Sequence, residues 1–295
     1  MSYTSKLIER GLIHPPKWLE NNVLFEGLTG SVSYGVSNDS SDMDVVGFCM
    51  PPKDVIFPHL RGEIHGFGTP GEVFNQFQQH HIKAPDLNKE FDVTIYSVVK
   101  FFQLCMENRP AQLEAIFLPR RCILHSTAIY EHIKTNRKMF LHKGGFHSHK
   151  GYAMSQLSKI KNKTNSSNPK RSDLIQQFGF DTKFAMHAVR LYLQIEQIML
   201  EGNLVVDRNA TILRGIRNGE WELEKIIEWC SEKESQLEKA YIETNEVPHK
   251  PNEQKIRDLL LECITMHYGK VSDNVLVETS SILDDLRTII TKHSM

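Results

Sequence analysis

The feature that most constrains this chain is the run Gly30-Ser31-Val32-Ser33-Tyr34-Gly35-Val36-Ser37-Asn38-Asp39-Ser40-Ser41-Asp42-Met43-Asp44-Val45-Val46-Gly47. A Gly-Ser pair follows an apolar stretch, and ten residues further on come two aspartates separated by one residue. If Asp42 to Val46 is a strand, the period-two alternation sends both carboxylates to one face and Met43 and Val45 to the other. Two acids on one face suit a hard divalent cation, whose other positions go to water and substrate phosphates in the way Mg²⁺ is usually held. The Gly-Ser turn supplies the complement, because free backbone N–H groups and a small hydroxyl at a helix start favour phosphate oxygens.

Gly30-Ser31, the gap and Asp42-x-Asp44 resemble the signature of the DNA polymerase β-like nucleotidyltransferase superfamily. The longer string, with Tyr34-Gly35, Ser41-Asp42, Asp44-Val45, Gly47 and Pro51-Pro52, resembles a group of nucleotidyltransferases from bacteria and their phages. The resemblance implies an α/β (α+β) chain, with a small mixed β-sheet nucleotidyltransferase domain over 1–126 and an all-helical domain over 127–295. The active site would lie in the cleft between them.

Composition sets the outer bounds. A chain of 295 residues can bury a sizeable core. The formal net charge of −1 argues against global attraction to nucleic acid and leaves room for a local basic face. Five cysteines lie far apart with no Cys-x-x-Cys, so free thiols in a reducing compartment are expected, without structural zinc or a disulfide framework. No apolar run approaches a membrane span and no apolar signal core opens the chain. The expected protein is cytoplasmic and unprocessed, with no membrane partner.

In chain order, a short polar helix is expected within 5–18, then a break at Pro15-Pro16 and a second short element into Glu20, then a buried strand over 23–29, a helical turn over 31–34 and the Asp-x-Asp strand over 43–50. Residues 53–87 show little periodicity and read as a long excursion with at most one short strand; nothing assigns work to His65, His80 or His81. Alternation over 90–96 places Glu90, Asp92 and Thr94 on one face and Phe91, Val93 and Ile95 on the other. A third acid can therefore join the first two from a neighbouring strand. Glu90 and Asp92 share that face, and the resemblance selects Asp92. Ser97 is expected to cap a helix ending near Asn108; a helical turn or two over 111–118 and a last short strand over 121–124 follow.

Between Lys134 and Arg171 stand ten Lys or Arg and no Asp or Glu. A helix is expected over 151–163, with Tyr152, Gln156, Lys159 and Lys163 on one face and Ala153, Leu157 and Ile160 on another, and a polar loop over 162–173. Missing acids make this block a candidate phosphate-facing wall. Asp181 and Gly202 then bracket a long helix. Its apolar stripe is Phe184, Ala188, Leu191, Ile195 and Met199, and its polar stripe is Lys183, His187, Arg190 and Gln194. The string Gly179-Phe180-Asp181-Thr182-Lys183 to Arg190-Leu191 resembles the second block of the same nucleotidyltransferase group. Arg208, Arg214 and Arg217 could add to the positive side, and acidic helices over 221–245, 252–267 and 280–293 read as scaffold.

The resemblance implies nucleotidyl transfer from an NTP, ATP first among them, with pyrophosphate as leaving group. Asp42, Asp44 and Asp92 would hold two Mg²⁺ (or Mn²⁺) ions, and Asp92 would take the acceptor's proton. Gly30, Ser31 and Tyr34 would bind the nucleotide from the sheet side, and Lys183, His187 and Arg190 from the helical side. An RNA 3′ end, held along the basic block, is the first expectation for the acceptor. A protein side chain or small molecule is the alternative, and a non-catalytic nucleotide or RNA sensor of the same fold is a third reading.

Overall fold

The computed structural model describes residues 2–38, 41–64, 66–69, 71–84, 89–162 and 169–269. Asp39, Ser40, His65, Lys163 and the helix expected over 280–293 lie outside the described residues.

The expected helix and the second short element are α1 over Tyr3–Glu9 and a 3-10 turn over Lys17–Asn21; the helix stops short because Gly11 turns left-handed (φ +66°), and Pro15-Pro16 follows. Strand β1, Val23–Leu28, is buried along its whole length. Its one charge, Glu26, is fully buried and accepts hydrogen bonds from the amides of Tyr3 and Thr4, so the open start of α1 satisfies it. The single turn α2, Gly30–Ser33, leads to β2, Met43–Cys49. A short α3, Lys53–Ile56, is followed by β3, Gln76–Ala84, and β4, Lys89–Ser97. The nine residues of β3 correct the expectation of at most a short strand in this region. It is an edge strand, so it can stay polar, and a register shift between Gln79 and Ile82 breaks its alternation. Ser97 caps α4, Val98–Met106, accepting from the Lys100 amide. Then come α5, Pro110–Ile116, and β5, Ile123–Ser126.

These strands form one mixed sheet in the order β3-β4-β2-β1-β5. Only β2 and β4 pair in parallel, with Asp44 directly opposite Asp92. The remaining neighbours are antiparallel.

The helical half comprises α6 (Ala128–Thr135), α7 (Gly145–Asn162), α8 (Pro169–Phe178), α9 (Thr182–Glu201), α10 (Ala210–Arg217), α11 (Leu223–Glu243) and α12 (Glu253–Tyr268). The fold is thus α/β, as expected. Residues 169–173, expected in a loop, belong to α8, which starts at Pro169, where the missing N–H is no loss. Asp181 caps α9 by accepting from the Lys183 and Phe184 amides, and Gly202 closes it in the left-handed region (φ +56°). The expected apolar stripe of α9 is buried, but so are Met186, Val189 and Leu193 on its other sides, because α7, α10 and α11 all pack against it. Residues on both sides of the expected boundary at 126 share the core: the Tyr130 ring of α6 stacks on Phe25 of β1 at 3.9 Å, and α12 packs on α4 and α6. Five free cysteines are buried, and no described helix is long and apolar enough to cross a membrane.

Candidate active site

The end of β1 and the start of β2 are fastened together at the Gly-Ser turn. The Thr29 amide and hydroxyl both donate to the Asp44 carbonyl, at 2.8 and 3.3 Å. Gly30 follows with φ +64°, and a Cβ there would stand 2.2 Å from Asp44 Oδ2. Only glycine fits, on both counts. The turn is closed by the Tyr34 and Val36 amides, which donate to the carbonyls of Gly30 and Ser31 at 3.3 and 3.0 Å, and by the Ser33 hydroxyl, which donates to the Gly30 carbonyl at 2.9 Å. The Asp44 carboxylate therefore lies directly against the turn.

Parallel pairing puts Asp92 level with Asp44. Residues opposite one another in neighbouring strands share a face. Burial pushes the Asp44 carboxyl up to about 6, the Lys183 ammonium pulls it back, Asp92 and Asp42 push it further, and His80 opposes them. All of these groups are thus within electrostatic reach of one carboxylate. Asp92 is engaged on both oxygens by the irregular part of β3: Oδ2 lies 3.1 Å from His80 Nδ1, and Oδ1 accepts from the His81 amide at 2.8 Å. Glu90, which shares the Asp92 face, turns to the His81 ring instead. Among the described residues, no three His, Cys, Asp or Glu side chains are gathered in metal-holding geometry. The donor set still fits a hard cation. Burial first, and then the two acids Asp92 and Asp42, make the Asp44 carboxylate reluctant to ionise, and a divalent ion would relieve that.

His80 and His81 are what the sequence reading missed. His81 has φ +57°, rare for a residue with a side chain, and it sits where the β3 register shifts. The shift erases the two-residue period, so adjacent histidines in a polar stretch were the only available signal.

The polar stripe of α9 divides. Lys183 and His187 are half-buried, and the His187 ring meets Tyr34 edge-on at 6.4 Å. Arg190 and Gln194 are buried, at 5 % and 2 % exposure. Arg190 forms an ion pair with Glu114 of α5, donates to Gln194 Oε1 at 3.0 Å, and stands 4.4 Å over the Tyr34 ring. The Tyr34 hydroxyl donates to the other Glu114 oxygen at 2.7 Å. Tyr34 and Arg190, expected on the nucleotide-facing surface, are interior groups tied to a buried acid. Packing of α9 on the sheet half brings them face to face. Glu114 had its own signal in the sequence, a lone charge within Leu113 to Leu118.

The basic block is not one wall. Lys150 is held by Glu234 and Glu238 of α11, each at 2.8 Å. Lys134 donates to the Leu118 carbonyl at 3.5 Å, and burial lowers its pKa. Arg137 lies 5.1 Å over the Phe117 ring, and Lys159 lies 5.4 Å over the ring of Phe184 at the start of α9. At Lys150 the sequence-local absence of acids is offset in space by the acidic helix α11. Of the expected arginines, Arg208 pairs with Glu201, and Arg214 donates to the Gly35 carbonyl at 2.7 Å.

Comparison with curated proteins finds no significant match. Among solved structures, the chain is similar to a nucleotidyltransferase-like protein from Exiguobacterium sibiricum 255-15, at 9 % identity over 81 % of this chain and 73 % of that one, with a TM-score of 0.29. That likeness is too distant to transfer any residue's role. The RlaP profile, described as the RNA repair pathway DNA polymerase beta family, matches residues 9–262, and the chain belongs to that family.

Proposed function

We propose that this member of a nucleotidyltransferase family moves a nucleotide from an NTP, ATP first among the candidates, to an RNA 3′ end. The observation that carries the reading is the placement of Asp44: level with Asp92, against the Gly30 turn, and under the charge of Lys183. Asp42, Asp44 and Asp92 would hold Mg²⁺, which when bound supplies positive charge to the triphosphate and acidifies the acceptor hydroxyl. The 3′ oxygen forms a bond to the α-phosphorus, the bond to pyrophosphate breaks, and pyrophosphate leaves. Asp92 takes the hydroxyl proton, with His80 beside its Oδ2 to spread the charge. Lys183 neutralises charge on the departing phosphates, and Ser31 with the turn orients them. The family's place in RNA repair favours RNA as acceptor.

The test is incubation with each labelled NTP, Mg²⁺ or Mn²⁺, and RNAs with defined 3′ ends, beside an Asp44→Asn control. Label on the RNA 3′ end with the wild type alone supports the reading. Label on protein or on a small molecule would replace the acceptor. Tight nucleotide binding without release of pyrophosphate would make the chain a sensor.

A further inference from the structure

We propose that Glu114 is a positioning residue that sets the distance between the Gly30-Ser31 turn and Lys183, a role that rests on the nucleotide site proposed above. A single carboxylate, 1 % exposed, ties three elements together. Oε2 accepts from Tyr34, the residue that ends α2 and whose amide closes the turn onto Gly30. Oε1 accepts from Arg190 of α9, whose guanidinium also covers the Tyr34 ring. Lys183 lies seven residues before Arg190 on the same face of the same helix, roughly 10 Å along its axis. A helix of that length is stiff, so anchoring Arg190 also fixes where Lys183 stands relative to Asp44. Anchoring Tyr34 fixes the turn that lies against Asp44. The sheet side and the helical side of the proposed phosphate site are thus spaced by one buried acid that touches neither nucleotide nor metal.

Removing Glu114 alone would strand the guanidinium and risks simple unfolding. The test therefore uses the double variant Glu114→Met/Arg190→Met, which replaces both charges with apolar groups, and Tyr34→Phe, which removes one hydroxyl. Two readouts are taken on the full chain: amide hydrogen exchange across the molecule, and binding and steady-state turnover measured against NTP concentration. The Tyr34 and Val36 amides are expected to exchange about tenfold faster in the double variant than in the wild type, with α11 unchanged, and the KM for NTP to rise about tenfold with a smaller change in kcat. Tyr34→Phe should move the same amides in the same direction, by less. Unchanged exchange at the turn in the double variant overturns the proposal. So does an increase spread evenly over the whole chain, which would make the junction merely structural. A wild type that binds no NTP would sink the proposed function, and the exchange readout would still decide the role of Glu114.

Discussion

Lys183 and His187 in the first two turns of α9, and Arg190 and Gln194 in its middle, occupy one helical face and look alike in sequence. They meet opposite fates. The first pair is half-buried: Lys183 is near enough to Asp44 to pull its carboxyl's pKa down, and the His187 ring meets Tyr34 edge-on. The second pair is buried against Glu114 and Tyr34. Periodicity says which residues share a face. What that face does depends on what lies against it, and along this stripe the partner changes: Asp44 for Lys183, then Glu114 of α5 for Arg190. A basic stripe can therefore be part site and part core.

The largest effect that can test this contrast should come from the open end. Asp44→Asn is expected to lower transfer by about a thousandfold, the scale of losing one preorganised electrostatic partner. The same variant should make the metal-free protein more stable near neutral pH. Asp44 is raised from 3.8 to about 6 in the folded chain, so the fold holds a proton that the unfolded chain gives up between those values. Stability from Asp44 is full below pH 4 and is lost as pH rises through 6. Asparagine does not titrate, so its advantage of about 2 kcal/mol should appear above pH 6 and vanish below 4. Urea midpoints at pH 4 and 7.5 measure this; a variant less stable at pH 7.5 would show that the acids do not crowd one another.

Next in size is a matched pair. Arg190→Met strands the buried Glu114 carboxylate and should cost about 3–5 kcal/mol, whereas Lys183→Met should change stability by less than about 0.5 kcal/mol. Activity should rank the other way relative to stability, with Lys183→Met raising the KM for NTP in a protein that melts normally. Equal melting losses in the two variants would erase the distinction between the ends of the stripe.

Much of this arrangement was legible in the sequence, for local reasons. The caps Ser97, Asp181 and Gly202, the mostly apolar β1 and the alternation of β4 each act within a few residues, and each fell where expected. The pairing of Asp44 with Asp92 needed only that their strands be neighbours, which the resemblance implied. What failed to show was set by contacts distant along the chain. The register shift at His80-His81 depends on β4, the burial of Arg190 depends on an acid 76 residues away, and the neutralising of Lys150 depends on α11. A residue's type and spacing carry no record of such partners.

The buried end also holds a titrating group that sharpens the comparison. His149 of α7 is fully enclosed, its Nδ1–H donating to the Gly145 carbonyl at 2.9 Å. Burial lowers its pKa from 6.5 to about 4, the Gly145 bond opposing and Arg190 adding to the fall. Here the unfolded chain holds the extra proton, so stability from His149 is full above pH 6.5 and is lost as pH falls through 4. Between pH 7.5 and 4.5 the wild type should lose about 2–3 kcal/mol that His149→Gln does not lose. Chemical denaturation at the two pH values checks it; parallel losses in both proteins would place His149 in contact with water.

The smallest expected effect tests whether the basic block is a wall for RNA. Lys150 stands between Glu234 and Glu238, and its pKa is raised by hydrogen bonds to both. The lysine and Glu234 are partly exposed and Glu238 is more so, so solvent screens the pairs, and Lys150→Ala should cost only about 0.5–1 kcal/mol. A lysine that also held an RNA phosphate would release a counterion on binding, and its loss would reduce the salt slope of log affinity by about one. With its charge committed to α11, the slope for an RNA oligonucleotide should stay the same after the substitution. If the slope falls by a full unit, Lys150 leaves its two glutamates for the RNA backbone, and α11 regulates the block rather than neutralising it. If stability falls by several kcal/mol instead, the α7–α11 contact is a buried joint of the same kind as Glu114 with Arg190, and the difference between the exposed and enclosed charges of this helical half is smaller than the contacts imply.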